Sequence, residues 1–424
     1  MIAAVRPLAA LLAGAALLLM GSGLLGSLLG VRGQLEGFDA RTFGLVMSSY
    51  FIGFLIGTYV APNLIQRIGH IRAFAFYAAL AASAVLLHAV VLTPLAWGLL
   101  RLVTGIALVG LYTVIESWLN AAAAPDRRSQ VFAVYMAVNL GALAVGQQLF
   151  GHSDPASFVP FTVVAILICC AALPVTASRM TQPQLPHVPR LALASIYRAA
   201  PAAATGALLS GTAMGGFWAL GPVYATRLGL QVDAVAHLMS AAIIGGALLQ
   251  LPIGRLSDRA DRRSAMILVS ALAAALATAL VLVGDVQAGG GYHWQLYGLF
   301  FAYGGLVFSV YPICVAHLLD HLPREDMLSG CSSLLLLNGV GSAIGPAIAG
   351  VAMDRLGPQA LPGFFATAFG LLALVAATRM LVRRRDRDHP GHFHPMLRTT
   401  PSALELLPET DSDAGAPSAR PATD

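Results

Sequence analysis

Apolar runs of about 20 residues, separated by short polar loops, fall near 7–31, 43–66, 71–93, 96–120, 130–150 and 158–179. A second set falls near 202–225, 234–255, 264–284, 295–318, 329–352 and 361–382. Roughly 20 apolar residues are what an α-helix needs to cross the hydrocarbon layer of a bilayer. The pattern therefore predicts an all-α integral membrane protein with twelve transmembrane helices, numbered below as spans one to twelve. The first run follows the single charge Arg6 and exceeds the roughly 7–15-residue core of a cleaved signal, so it is expected to remain as span one.

The pattern breaks once, at the midpoint. Residues 181–201 are rich in proline and polar residues, and they are expected to form a central loop between an N-terminal unit, 1–180, and a C-terminal unit, 202–382. The two units match at fixed offsets. Met47, Ser48, Gly53, Leu64 and Arg67 recur 192 positions later as Met239, Ser240, Gly245, Leu256 and Arg259. Gly105, Tyr112, Leu119, Asn139 and Gly146 recur 199 positions later as Gly304, Tyr311, Leu318, Asn338 and Gly345. Constancy of the offset, more than any one pair, predicts a duplicated unit and hence two pseudo-symmetric six-helix bundles. The tail, 383–424, opens with an arginine cluster expected to face anionic lipid and is otherwise expected to be disordered and cytoplasmic. His389, His392 and His394 lie in it at a spacing that fits no defined metal site, so no metal is assigned.

Composition agrees with a lipid environment: 57% of residues are hydrophobic and 11% charged, against about 25% charged in soluble domains. All 25 basic residues are Arg. Without Lys there is no GxxxxGK[ST] phosphate loop, no Schiff base and no kinase-type lysine, so neither an ATP-driven engine nor an enzyme is expected, and no cofactor. Twenty of the arginines fall at the termini or in loops after even-numbered spans, whereas Arg32, Arg41, Arg227 and Arg355 alone serve the other side. By the positive-inside rule both termini are expected in the cytoplasm, and the net charge of +5 describes a membrane face rather than a nucleic-acid surface. Cys169, Cys170, Cys314 and Cys331 sit within apolar runs and read as small hydrophobes.

After span eight stands Gly254-Arg-Leu-Ser-Asp258-Arg259-Ala-Asp-Arg262-Arg263, which resembles the GxLxDRxGRR signature of the major facilitator superfamily of secondary transporters. In the first unit the same place carries Arg67, Gly69 and Arg72, but Pro62 and Gln66 replace the Gly and Asp of the signature. Arg101 and Gly105 resemble the RxxxG element of the family, and Gly141, Gly146, Gly341 and Gly345 its glycine-rich helices. Segments 46–60, 114–119, 251–263 and 309–319 are similar to its YcaD-like branch, which implies a bacterial inner-membrane transporter without implying a substrate. The gating residues implied are Gly254, Asp258, Arg259, Arg262, Arg263, Arg67 and Arg72. Asp258 is expected to accept from the helix N-terminus near Leu328 and Ser329, and Arg259 and Arg262 to reach carboxylates such as Asp320. An ordinary charged loop obeying the positive-inside rule is the plainer alternative.

In an alternating-access protein solute binds near mid-membrane between the units. Asn139 and Asn338 fall there, either as solute contacts or as hydrogen-bonding glue between helices. Tyr112, Tyr311 and Trp218 are candidate cavity walls, with Tyr224 beside Trp218, and Gln147 is expected to face inward where Gln148 does not. Glu116 is the one acid well inside a span. It and Arg101, fifteen positions away and too far to pair, are the candidate coupling charges. Glu116 reads equally as part of a cytoplasmic gate with Arg72, Arg127 or Arg128. His88, His237 and His317 are fallback proton carriers. The chain is thus expected to move a small, neutral or amphipathic solute across the inner membrane, driven by protons, with efflux one possible direction. An uncoupled facilitator and a non-transporting sensor or assembly protein are the alternatives. Partners expected are the solute, protons and lipid, with no nucleic acid and no obligatory protein.

Overall fold

The computed structural model describes residues 8–124, 127–176, 183, 191–259, 261–287 and 294–382, together with Met396 and Thr400. Twelve long helices account for nearly all of it: α1 Ala9–Leu35, α2 Ala40–Ile68, α3 His70–Val90, α4 Pro94–Ala122, α5 Arg128–Gly151, α6 Val159–Thr176, α7 Pro201–Arg227, α8 Val232–Arg259, α9 Arg262–Gln287, α10 Trp294–Leu319, α11 Met327–Leu356 and α12 Ala360–Val382. A short helix, Leu193–Ala199, lies in the expected central loop. His389, His392 and His394 lie outside the described residues, as does most of the tail. Met396 and Thr400 are buried, at 4% and 0% exposure, which the reading of the tail as disordered did not anticipate.

Eleven of the long helices are long and apolar enough to cross a membrane. The remaining one, α7, coincides with the expected span seven but is built largely from Ala, Gly, Ser and Thr. Its small residues serve packing: a Cβ on Gly211 would strike the Asn338 backbone, and one on Gly215 the Ser342 backbone. A helix enclosed by other helices has little lipid-facing surface and needs less hydropathy.

The helix crossings repeat at the sequence offsets. Gly53 lies against the Leu102 backbone, and Gly245 against Phe301. Gly105 meets Tyr50 and Gly304 meets Ala242; Gly146 meets Met20 and Gly345 meets Thr212. At each crossing a side chain would force two backbones apart. The turns before α2 and α8 also match, using Gly37 at φ 78° and Gly229 at φ 84°, a left-handed conformation that glycine adopts without penalty.

Two faces follow from the loops. The arginine-poor face holds the ends of α1, α2, α7, α8 and α11, and it is closed. There the Asp354 carboxylate, on α11, accepts from Ala40 N at 2.9 Å and Arg41 N at 2.7 Å, at the start of α2. Arg227, ending α7, pairs with Asp354 at 3.2 Å and donates to Gln34 at 3.0 Å. Gly44 and Gly350 bring α2 and α11 into backbone contact beside this cluster. The Asp39 side chain caps α2 through Thr42 N at 2.6 Å, and hydrogen bonds from the Thr42 hydroxyl and then its backbone N–H hold the carboxyl below the ordinary value. On this same side α5 packs on α8, with Gly151 against Ala236 and Gln148 bonded to Ser240, whereas α4 and α10 have no comparable packing among the described residues.

Candidate functional site

Helical periodicity puts one stripe of α4 on a common side: Arg101, Leu108, Tyr112 and Glu116, spaced by three or four residues or multiples of them. Tyr135, Asn139, Leu143 and Gln147 do the same on α5 at intervals of four. Both stripes line one central cavity of about 200 Å³, which α1, α2, α7, α8, α10 and α11 also enclose. Trp218, Tyr311 and Asn338 contribute from the second half of the chain. The cavity therefore brings together Glu116, Arg101, Asn139, Asn338, Gln147, Tyr112, Tyr311 and Trp218, and Met396 enters its wall from the tail.

Glu116 is 1% exposed. Tyr135 donates its hydroxyl to Glu116 Oε1 at 2.9 Å and is also hydrogen-bonded to Asn139. On the other carboxylate oxygen, Thr400 donates its backbone N–H at 3.0 Å and its hydroxyl. An acceptor-only carboxylate thus receives donors from α5 and from the tail. Arg101, 4% exposed, stands toward the arginine-poor end with its guanidinium 4.2 Å from the centre of the Tyr50 ring. Its buried Nε has no hydrogen-bond partner among the described residues.

The amides divide by role. Asn338 donates to Ala207 O at 3.1 Å and Ser210 Oγ at 3.3 Å, tying α11 to α7. The Oδ1 of Asn139 is buried at the cavity without a hydrogen-bond partner among the described residues. Gln147 accepts from Ser27 at 2.6 Å and donates to Gly23 O at 2.9 Å, so it fastens α5 to α1 while lining the cavity. Gln148 instead donates to Ser240 on α8 at 2.7 Å. Trp218 stacks on Phe308 with centroids 5.9 Å apart, and Tyr112 shares a hydrogen bond with Ser22 at 3.3 Å. Tyr224 is away from the cavity wall, buried and directed to Gln359 at 3.4 Å.

The histidines stand apart. His88 is packed on Trp97, His237 on Tyr297, and His317 on His321 beside a second cleft with Arg198, Arg263 and Arg379. Cys314 and Cys331 are buried, whereas Cys169 is exposed on the outer surface of α6.

The signature begins inside the end of α8, not in a free loop. Gly254, Asp258 and Arg259 are helical, and Arg262 and Arg263 start α9. Arg262 pairs with Asp258 at 2.6 Å and, as expected from the sequence, with Asp320 at 3.4 Å. Asp354, on the opposite face, accepts from backbone N–H groups at the start of a helix of the other unit, and Asp258 pairs with Arg262. Arg67 and Arg72 are exposed.

Sequence reasoning missed Asp354, Tyr135 and the contact of Thr400 with Glu116. Asp354 carried a signal: it is an acid at a span end on the face where only four arginines fall. Tyr135, four residues before Asn139, could have been found from helical spacing alone.

The Major Facilitator Superfamily model matches residues 11–235 and 203–407. An uncharacterized MFS-type transporter of Yersinia enterocolitica is 27% identical over 90% of this chain and 97% of its own length. The uncharacterized MFS-type transporter YcaD of Escherichia fergusonii is 25% identical over 91% and 97%. Among solved structures, the nucleoside transporter NupG superposes with a TM-score of 0.71 at 17% identity, over 89% of this chain and all of that one. A bacterial homolog of the human lysosomal transporter Spinster, inward-facing and unoccupied, gives 0.66 at 13% identity over 95% and 96%.

Proposed function

Because the chain belongs to the major facilitator superfamily, a family of membrane transporters rather than enzymes, we propose that it is a proton-driven secondary transporter of a small solute in the inner membrane. In this reading residues 1–180 and 202–382 are two six-helix units, with α7 as the twelfth span, that rock about the central cavity. Both termini are cytoplasmic, so the arginine-rich face is the inner one. The observation that carries the proposal is a cavity lined by helices of both units whose arginine-poor end is closed by Asp354, while α4 and α10 pack little on each other among the described residues. That is one of the two states alternating access requires.

Symmetry supports a division of labour. Tyr112 and Asn139 have counterparts in Tyr311 and Asn338, but at the 199 offset Arg101 corresponds to Phe300, Glu116 to Val315 and Tyr135 to Leu334. The buried charges of the cavity belong to the N-terminal unit, which is our reason for assigning coupling to Glu116, with Arg101 its counter-charge at the far end. The aromatic and methionine wall suits a neutral or amphipathic solute. One proton crossing about 100 mV supplies about 2.3 kcal/mol, enough for roughly a fifty-fold gradient.

The test is transport by protein reconstituted in liposomes, after a compound screen against a deletion strain supplies a substrate. Glu116→Gln is expected to keep solute exchange and lose uphill uptake. Uphill transport at the wild-type rate refutes the coupling assignment, and solute movement without proton movement identifies a facilitator.

A further inference from the structure

Two tail residues are anchored to opposite units of the cavity. Thr400 donates its N–H and hydroxyl to Glu116 on α4, and the Met396 carbonyl accepts from Gln250 Nε2 on α8 at 3.1 Å. Gln250 is itself 3% exposed and directs a second N–H to Phe308 O at 2.8 Å, so it has no freedom to turn away. Thr400, bonded to α4, and Met396, bonded to α8, thus place tail atoms against both units.

We propose that Thr400 is a built-in ligand of the central cavity, occupying at Glu116 a subsite for ligands that present an N–H and an O–H together. Solutes with the same donor pair, hydroxy-amides and hydroxy-amines, compete with the tail for the carboxylate. Until they displace it, Thr400 covers the Glu116 carboxylate inside the cavity. The substrate class rests on the reading of this cavity as the solute path; the occupancy of the site by Thr400 does not.

The experiment uses the full chain in liposomes and needs no transported substrate. A Gly26→Cys reporter sits on the cavity wall, where an added side chain meets open space. Cys169 and Cys170 are replaced by alanine, and labelling by an impermeant maleimide from the arginine-rich face is timed. Thr400→Pro removes both donors and Thr400→Glu opposes Glu116 with like charge; each is expected to speed labelling about tenfold. Thr400→Val is expected to fall between, and Thr400→Ser to label as slowly as the intact chain. Labelling of Thr400→Pro and Thr400→Glu at the intact rate overturns the proposal, as does failure of a Glu116→Cys, Thr400→Cys pair to cross-link on oxidation. N-acetylthreonine amide is expected to slow labelling of the Thr400→Pro chain where N-acetylvaline amide does not. Equal effects of the two amides overturn the donor-pair subsite. A tail that responds in a protein that moves no solute would separate this proposal from the transport reading.

Discussion

Loss of the Asp354 carboxylate is expected to open the arginine-poor face. Asp354 joins three elements: two backbone N–H groups of α2 and the Arg227 guanidinium of α7. The asparagine variant keeps one acceptor oxygen and loses the charge. It therefore forfeits one charge-assisted hydrogen bond, about 1.5 kcal/mol at the lower end, and an ion pair of about 0.5 kcal/mol, since both side chains are 22–25% exposed. The sum, about 2 kcal/mol, shifts a two-state equilibrium about thirty-fold toward the state open on that face. Asp354→Ala loses both backbone bonds and is expected to exceed it. Arg227→Gln loses only the ion pair and part of the bond to Gln34, a few-fold effect. The assay is maleimide labelling of the Gly26→Cys reporter from the arginine-poor face of oriented vesicles, with rates ordered Asp354→Ala, Asp354→Asn, Arg227→Gln, intact. Equal rates for all four refute the assignment of Asp354 as the closure of that face.

Three further outcomes follow from the same geometry. Gly245→Leu drives a side chain into the Phe301 backbone, and Gly53→Leu into Leu102; overpacking of about 1–3 kcal/mol or more should lower the yield of folded protein in fluorescence-detected chromatography. At the signature, Arg262→Gln leaves Asp320 buried without its recorded ion pair, so it should lower thermal stability in detergent more than Asp258→Asn, whose carboxylate is 37% exposed; Asp258→Asn should mainly slow turnover in the reconstituted assay. Asp39 has a depressed carboxyl, so its contribution is complete at neutral pH and is lost as pH falls through and below the usual carboxylate range. Asp39→Ala should cost about 1 kcal/mol at pH 7 and far less in acid, measured as the difference in melting temperature across pH.

Hydropathy located the long helices to within a few residues because lipid contact is written into composition, residue by residue. The signal is weakest at α7, where the expected run 202–225 still coincides with the helix: a helix surrounded by protein is selected for small volume, and Gly211 and Gly215 register as weak hydrophobes. The candidate cavity residues were legible from position and spacing. Which partner each residue takes was not, since Asn139 and Asn338 are equivalent in sequence yet only Asn338 is drawn into bonding α7. The bond between Thr400 and Glu116 was not legible because one of its two donors is a backbone N–H, which every residue but proline carries. Tyr135 escaped notice because a tyrosine in a span reads as wall until its hydroxyl is seen on Glu116.

Where α2 crosses α11, Gly44 faces the Pro346 carbonyl and Gly350 faces that of Ala40, so bare main chain lies on bare main chain. Such a seam has no rotamers to re-sort as it parts and re-forms. Its resistance is concentrated in the few polar bonds beside it, which makes the transition abrupt rather than gradual, and a bulky residue at either glycine would act as a wedge holding that mouth ajar.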